Sequence, residues 1–136
     1  MARIRVVDDE PMVLDLLQKA LTRKGHEVLT ADSGRKAIEL FRQDRPDLTI
    51  LDLNLPDING IDVLREIRSV DPHAPVIILT GAGTEALENQ ARALGVTDFL
   101  QKGFSLHALG AALNRILKQP GQADPTASGP ENPRAR

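Results

Sequence analysis

Apolar residues along the chain recur with two alternating periods. Short runs rich in Val, Ile and Thr stand at Ile4–Val7, Val28–Ala31, Leu48–Leu51, Val76–Leu79 and Thr97–Leu100, with the length and composition of buried strands. Each is followed by a segment whose apolar positions repeat at helical spacing. After the first run, Val13, Leu16, Leu17, Ala20 and Leu21 form one stripe, ended by Gly25; after the last, Leu106, Leu109, Leu113, Ile116 and Leu117 do the same. Such a stripe is the core-facing side of a helix, and a glycine just past it is a stop signal. Ala37–Phe41, Ile61–Ile67 and Glu85–Leu94, the last closed by Gly95, read as the helices in between.

Alternating strand and helix units predict an α/β protein with a parallel sheet, because right-handed crossovers set the helices on both faces of it. The arrangement expected for five units is a flavodoxin-like (βα)5 three-layer sandwich with strand order 2-1-3-4-5. Residues 1–118 are expected to form this domain. From Gln119 onward, QPGQADPTASGPENPRAR carries too little apolar surface to repay the entropy of ordering, so 119–136 reads as a disordered tail or linker stub.

Composition narrows the function classes. A chain of 136 residues can bury a core without metal or disulfide staples. The absence of cysteine excludes thiolate zinc sites and a cysteine nucleophile, and fits a cytoplasmic protein. Apolar runs are too short for a membrane span, and no signal peptide is evident. A net charge of −2, with no Trp or Tyr and three Phe, offers neither a basic footprint nor a stacking platform, so direct nucleic-acid binding is not expected.

In this architecture ligands bind beyond the carboxyl ends of the strands, where the strand order reverses, here between the first and third strands. In LTILDLNLPDING, residues 48–60, an apolar strand runs into Asp52 and then breaks into Asn, Pro, Asp and Gly. The first strand ends in Asp8-Asp9-Glu10, the fourth in Thr80, and the fifth, one residue beyond Gln101, in Lys102. The expected layout is acids on one flank, Asp52 in the middle, and a hydroxyl and an ammonium on the other. Carboxylates about 4 Å apart repel by roughly 4 kcal/mol per pair at an effective dielectric near 20. A divalent cation relieves this, and oxygen-only ligands favour Mg²⁺ or Mn²⁺. A metal-bound carboxylate facing a hydroxyl and an ammonium suits a phosphoryl group, with Asp52 as the nucleophile that forms an acyl phosphate.

Each piece alone has a plainer reading. Asp8 and Asp9 precede Pro11 and could cap a helix; Asp32-Ser33 reads as a cap; Thr80 could be a turn hydroxyl and Lys102 a solvated charge. Gly81-Ala82-Gly83 lacks the phosphate-loop pattern. Only the joint placement argues for a site.

VVDDEPMV, ILDLNLPDINGIDVL, VIILTGAG and TDFLQKG, in this order over residues 3–118, closely resemble the receiver domain of two-component response regulators, the family of the single-domain chemotaxis regulator. The resemblance implies that Asp9 binds Mg²⁺ directly and Asp8 through water. It makes Asp52 a metal ligand and the phosphoacceptor, and gives Asn54 a backbone carbonyl ligand. Thr80 and Lys102 become contacts to the phosphoryl oxygens, and Phe99 the switch aromatic. It further implies a sensor histidine kinase or histidine phosphotransfer protein as phosphodonor, a domain that catalyses its own phosphorylation and slow autodephosphorylation, and output through the face of the fourth helix, fifth strand and fifth helix to a downstream target protein. Monomer and phosphorylation-dependent homodimer both fit. One departure stands out: relatives place proline after this lysine, through a cis peptide, where this chain has Gly103. A cis bond to glycine costs about 2.5–4 kcal/mol, so a trans bond and a rearranged loop before Ser105 are expected. Phe99 in place of Tyr removes a hydroxyl from the output face, and Asn54 and Ala82 sit where the family tunes the phosphoryl lifetime.

The eighteen residues after Lys118 cannot fold into an output unit, so output is expected by protein contact. Three alternatives stay open: a receiver excised from a longer regulator, a pseudo-receiver that binds partners without being phosphorylated, and a dehalogenase-type phosphatase. The last requires a second acid two residues after the nucleophile, where Asn54 stands.

Overall fold

A computed structural model describes residues 2–81, 85–96 and 98–117. Strands β1 (Arg3–Val7), β2 (Glu27–Ala31), β3 (Leu48–Asp52), β4 (Val76–Thr80) and β5 (Asp98–Gln101) alternate with helices α1 (Pro11–Arg23), α2 (Gly34–Gln43), α3 (Gly60–Val70), α4 (Glu85–Ala93) and α5 (Leu106–Ile116). All strand pairs are parallel, in the order β2-β1-β3-β4-β5, the order expected from the alternation of periods. Three expectations fall on residues outside those described: Thr97 as the start of the fifth strand, a role for Ala82, and the tail from Gln119 onward.

Burial follows the strand period. Ile4, Val6, Ile50, Ile77 and Leu79 pack with Leu17 and Leu21 of α1 and with Leu109 and Leu113 of α5. The alternate residues Val7, Leu51 and Ile78 pack with Phe41 of α2, Leu64 of α3 and Ala91 of α4. The central strands β3 and β4 are buried at every position, while the edge strands β2 and β5 are not. That is why the central strands read as unbroken apolar runs.

Local chemistry sets the helix ends. Pro11, with its fixed φ and missing N–H, opens α1 where no donor is needed. Ser33, Asn59 and Ser105 cap α2, α3 and α5 with side-chain oxygens that accept the amides of Lys36, Ile61 and Ala108. The plain cap reading of Ser33 is therefore correct.

The far end of the sheet is tied by Arg68 of α3. Its Nε, Nη1 and Nη2 donate to the carbonyls of Leu94, Ala74 and Gly95, each at 2.8 Å, satisfying groups at the exit of α4 and the approach to β4. Hydrogen bonds from a charged donor are the stronger kind, and orphaned carbonyls are costly. Arg68→Ala is expected to lower stability by about 2–3 kcal/mol, read as a lower urea midpoint, with Arg68→Lys recovering only a fraction.

Candidate functional site

The carboxyl ends of β1 and β3 form the floor of the site. These strands are neighbours, paired up to Val7 with Leu51, so the next residues along them are Asp8 and Asp52. Asp8 is fully buried, Asp52 is 2% exposed, and Asp9 and Glu10 face solvent. One carboxylate oxygen from each of these four residues lies within 4.8 Å of the others. The turn that gathers them is held by two bonds: the Asp8 amide donates to Ala31 O at 3.1 Å, and Asp8 Oδ1 accepts the Glu10 amide at 2.9 Å. The Asp8 carboxylate therefore shapes this turn and takes no amide of the first helical turn; the residue that precedes α1 is Glu10, which makes no side-chain cap bond.

Lys102 follows β5 directly, its amide donating to Thr80 O at 2.7 Å. Gly103 then turns with φ +89, a left-handed conformation that a proline ring forbids. The loop before Ser105 thus takes a path closed to any relative with proline there. Lys102 nonetheless reaches the acids: its Nζ lies 3.1 Å from Asp8 Oδ2 and 3.2 Å from Asp52 Oδ2, and it hydrogen-bonds Glu10. The strand order sets its backbone on the expected flank, opposite Asp8 and Asp9, and the side chain reaches back across Asp52 to the acids. With four carboxylates clustered, the lysine's aliphatic stem spans Asp52 and carries the charge to where the repulsion is greatest. Glu10, placed among the acids from the sequence but given no role, is a direct partner of Lys102. Its signal was an acid two residues after Asp8, at the mouth of a helix.

Burial governs the ionisation of the floor. It pushes the Asp8 carboxyl up to about 6, with the neighbouring charge of Asp52 adding to the effect and the Glu10 amide and Lys102 opposing it. Asp52 is also raised by burial, against the pull of Lys102 and the Asn54 amide. Burial works against the Lys102 charge, yet Glu10, Asp8 and Asp52 together hold its pKa above the ordinary lysine value. A carboxyl raised on folding stabilises the fold below its unfolded pKa near 3.8, and that contribution is lost as pH rises through about 6. Asp8→Asn is therefore expected to stabilise the metal-free protein near neutral pH by about 1–3 kcal/mol, with no gain near pH 4. Melting curves of both proteins across this range, in chelator, test it; equal stability at every pH would contradict it.

The donor set suits a hard divalent cation. Asp8 Oδ2 is buried and makes no hydrogen bond, with the Lys102 ammonium 3.1 Å away, and every ligand the cluster offers is a carboxylate oxygen. Such ligands fit Mg²⁺ or Mn²⁺.

The other expected residues come from the loop after β3, the end of β4, and β5. Asn54 is exposed and its amide donates to Asp52 Oδ1 at 3.3 Å. Thr80 ends β4 at 8% exposure, paired with Gln101. Phe99, on β5, is half-buried against the core, and the Arg92 guanidinium of α4 lies 4.4 Å from its ring centroid. A cleft of about 390 Å³, lined in part by Asp9, Asn54, Pro56, Asn59 and Leu87, opens beside the acids.

Known proteins share this fold and sequence pattern. The family model for the response regulator receiver domain matches residues 4–114. The chemotaxis protein CheY of Thermotoga maritima is 34% identical over 117 residues, covering 85% of this chain and 98% of that one. The probable transcriptional regulatory protein TcrX of Mycobacterium tuberculosis is 38% identical over 120 residues, covering 87% of this chain and 50% of that one, so this chain spans about half the length of that relative. Among solved structures, a response regulator receiver domain protein from Clostridium thermocellum superposes with TM-score 0.81 at 35% identity, over 86% of this chain and 94% of that one. The receiver domain of the sensor histidine kinase PA1611 from Pseudomonas aeruginosa, with a magnesium ion coordinated in its active-site cleft, gives 0.79 at 26% identity, over 87% and 98%. On the fold, the strand-end residues and these matches together, the chain belongs to the family of response regulator receiver domains.

Proposed function

We propose that the chain is a phosphorylation-dependent switch of a two-component system, taking a phosphoryl group onto Asp52 from a phosphohistidine on a sensor histidine kinase or histidine phosphotransfer protein. The observation that carries this reading is the meeting of Asp52 with Asp8 and Lys102 at one strand-end cleft, from three segments far apart in sequence. Asp8, Asp9 and Asp52, with the carbonyl of Asn54, would hold Mg²⁺, which when bound offsets negative charge on the phosphoryl oxygens. The magnesium in the PA1611 receiver domain supports the same assignment here.

An Asp52 carboxylate oxygen attacks phosphorus as the P–N bond to the donor imidazole breaks. The leaving nitrogen keeps the bonding pair, and Asp52 becomes an acyl phosphate. Lys102, freed from its carboxylate partners, and the Thr80 hydroxyl contact the new oxygens. Movement of Thr80 toward the phosphoryl group and of Phe99 inward then alters the surface of α4, β5 and α5, where a downstream protein reads the state. Slow hydrolysis of the acyl phosphate resets the switch.

The decisive experiment is intact mass after incubation with acetyl phosphate, with and without Mg²⁺. Mg²⁺-dependent gain of a single phosphoryl group is expected. A protein that stays unmodified under both conditions is a binding module instead.

A further inference from the structure

The loop between β3 and α3, residues 53–59, carries Asn54 and leads away from Asp52. Besides the bond from the Asn54 amide to Asp52 and the Asn59 cap of α3, it is fastened at two further points. At its base the Gly60 amide donates to Leu53 O at 3.0 Å. At its outer turn the Asp57 carboxylate crosses to a different helix: Oδ1 accepts the Gly34 amide at 2.8 Å and Oδ2 the Arg35 amide at 2.9 Å. These are the first two amides of α2, left without intrahelical partners by the geometry of a helix start. The third, that of Lys36, is taken by Ser33 Oγ. A loop more than twenty residues distant thus completes the cap of α2, with a negative charge at the positive end of the helix.

The contact is also sterically closed. A Cβ at Gly34 would lie 2.6 Å from Ile58 Cγ1 and 2.9 Å from Val63 Cγ2, so α2 and the loop meet with no space for even a methyl group. Both acceptor oxygens of Asp57 are engaged, which fixes the plane of the carboxylate as well as its position.

We propose that Asp57 is a positioning residue for the cleft: by holding two amides of α2 it fixes the loop that sets Asn54 beside Asp52, and so tunes divalent-cation binding there. The inference rests on the cation reading of the cleft given above. Asparagine at 57 offers one acceptor oxygen in place of two and no charge, so the loop loses one of its two bonds to α2 and the attraction to the helix terminus.

The test compares Asp57→Asn with Ser33→Ala in the full chain. Both weaken the start of α2, and only the first loosens the loop. Mg²⁺ affinity is measured by titration calorimetry, and exchange of the Gly34 and Arg35 amides by NMR. Asp57→Asn is expected to weaken Mg²⁺ binding by about tenfold, the lower end of the effect of removing a supporting contact from a metal site, and to speed exchange of both amides. Ser33→Ala is expected to lower the melting temperature while leaving Mg²⁺ affinity unchanged. Wild-type affinity in Asp57→Asn, or equal weakening in Ser33→Ala, overturns the proposal. A wild-type protein that takes up no Mg²⁺ overturns instead the reading of the cleft on which it rests.

Discussion

Asp52→Asn protein incubated with acetyl phosphate and Mg²⁺ is expected to remain at its unmodified mass, while wild type gains one phosphoryl group. The expected effect is complete loss, because the amide oxygen is a poor nucleophile and cannot hold a stable acyl phosphate. The fold should survive the change. Asp52 is buried with a raised pKa, so a neutral isostere removes the cost of a buried charge, and the amide oxygen can still accept from Lys102. Retained cooperative melting therefore accompanies lost labelling. Labelling that persists would place the nucleophile elsewhere and remove the central role of this carboxylate.

Gly60→Ala is expected to cost about 3 kcal/mol or more and to lower the melting temperature by about 10 °C or more. A Cβ at this position would lie 2.5 Å from Leu53 Cα, 2.7 Å from Asp52 O and 2.9 Å from Leu53 O. All three are backbone atoms and cannot rotate away, so the strand end carrying Asp52 has to shift. Phosphorylation should fall together with stability. Gly25→Ala is the informative contrast. Gly25 has φ +90 and nothing within 4 Å of its would-be Cβ, so its substitution costs only the conformational penalty of about 1 kcal/mol and leaves labelling intact. Equal effects of the two substitutions would contradict this division of roles.

These two glycines illustrate what could be read from the residues alone. Gly25 was legible as a helix stop, because the signal is local: an apolar stripe ends and the backbone needs a left-handed residue. Gly60 stood in the same sequence as one member of a turn cluster. Its reason is space, set by the approach of α3 to the end of β3, and no local pattern encodes that approach. The acids divide in the same way. Asp8, Asp9 and Asp52 are legible as strand-end carboxylates because a polar residue closing an apolar run marks the end of a buried strand. Asp57 looked like a turn residue, and only the position of α2 shows that it caps another helix.

Lys102 marks the boundary most clearly. Its place after the fifth strand, on the flank opposite Asp8 and Asp9, follows from sequence; the reach of its ammonium back across Asp52 to those acids does not. A long cationic side chain settles where the summed field of all nearby charges is lowest, and that field depends on Asp8, Glu10 and Asp52 together. Arg68 behaves likewise: its three carbonyl partners come from segments joined only by the packing.

By itself, then, the sequence determined the alternation of five strands and five helices, the strand order that parallel crossovers favour, and the row of strand-end residues where chemistry would gather. Those features depend on periodicity and connection rules, which act over a few residues or on topology alone. Only the tertiary structure decided how far each side chain reaches, which carboxyl carries the cost of burial, and which glycine lacks room for a methyl group. Those depend on distances between segments remote in the chain, and such distances exist only once the layers have packed.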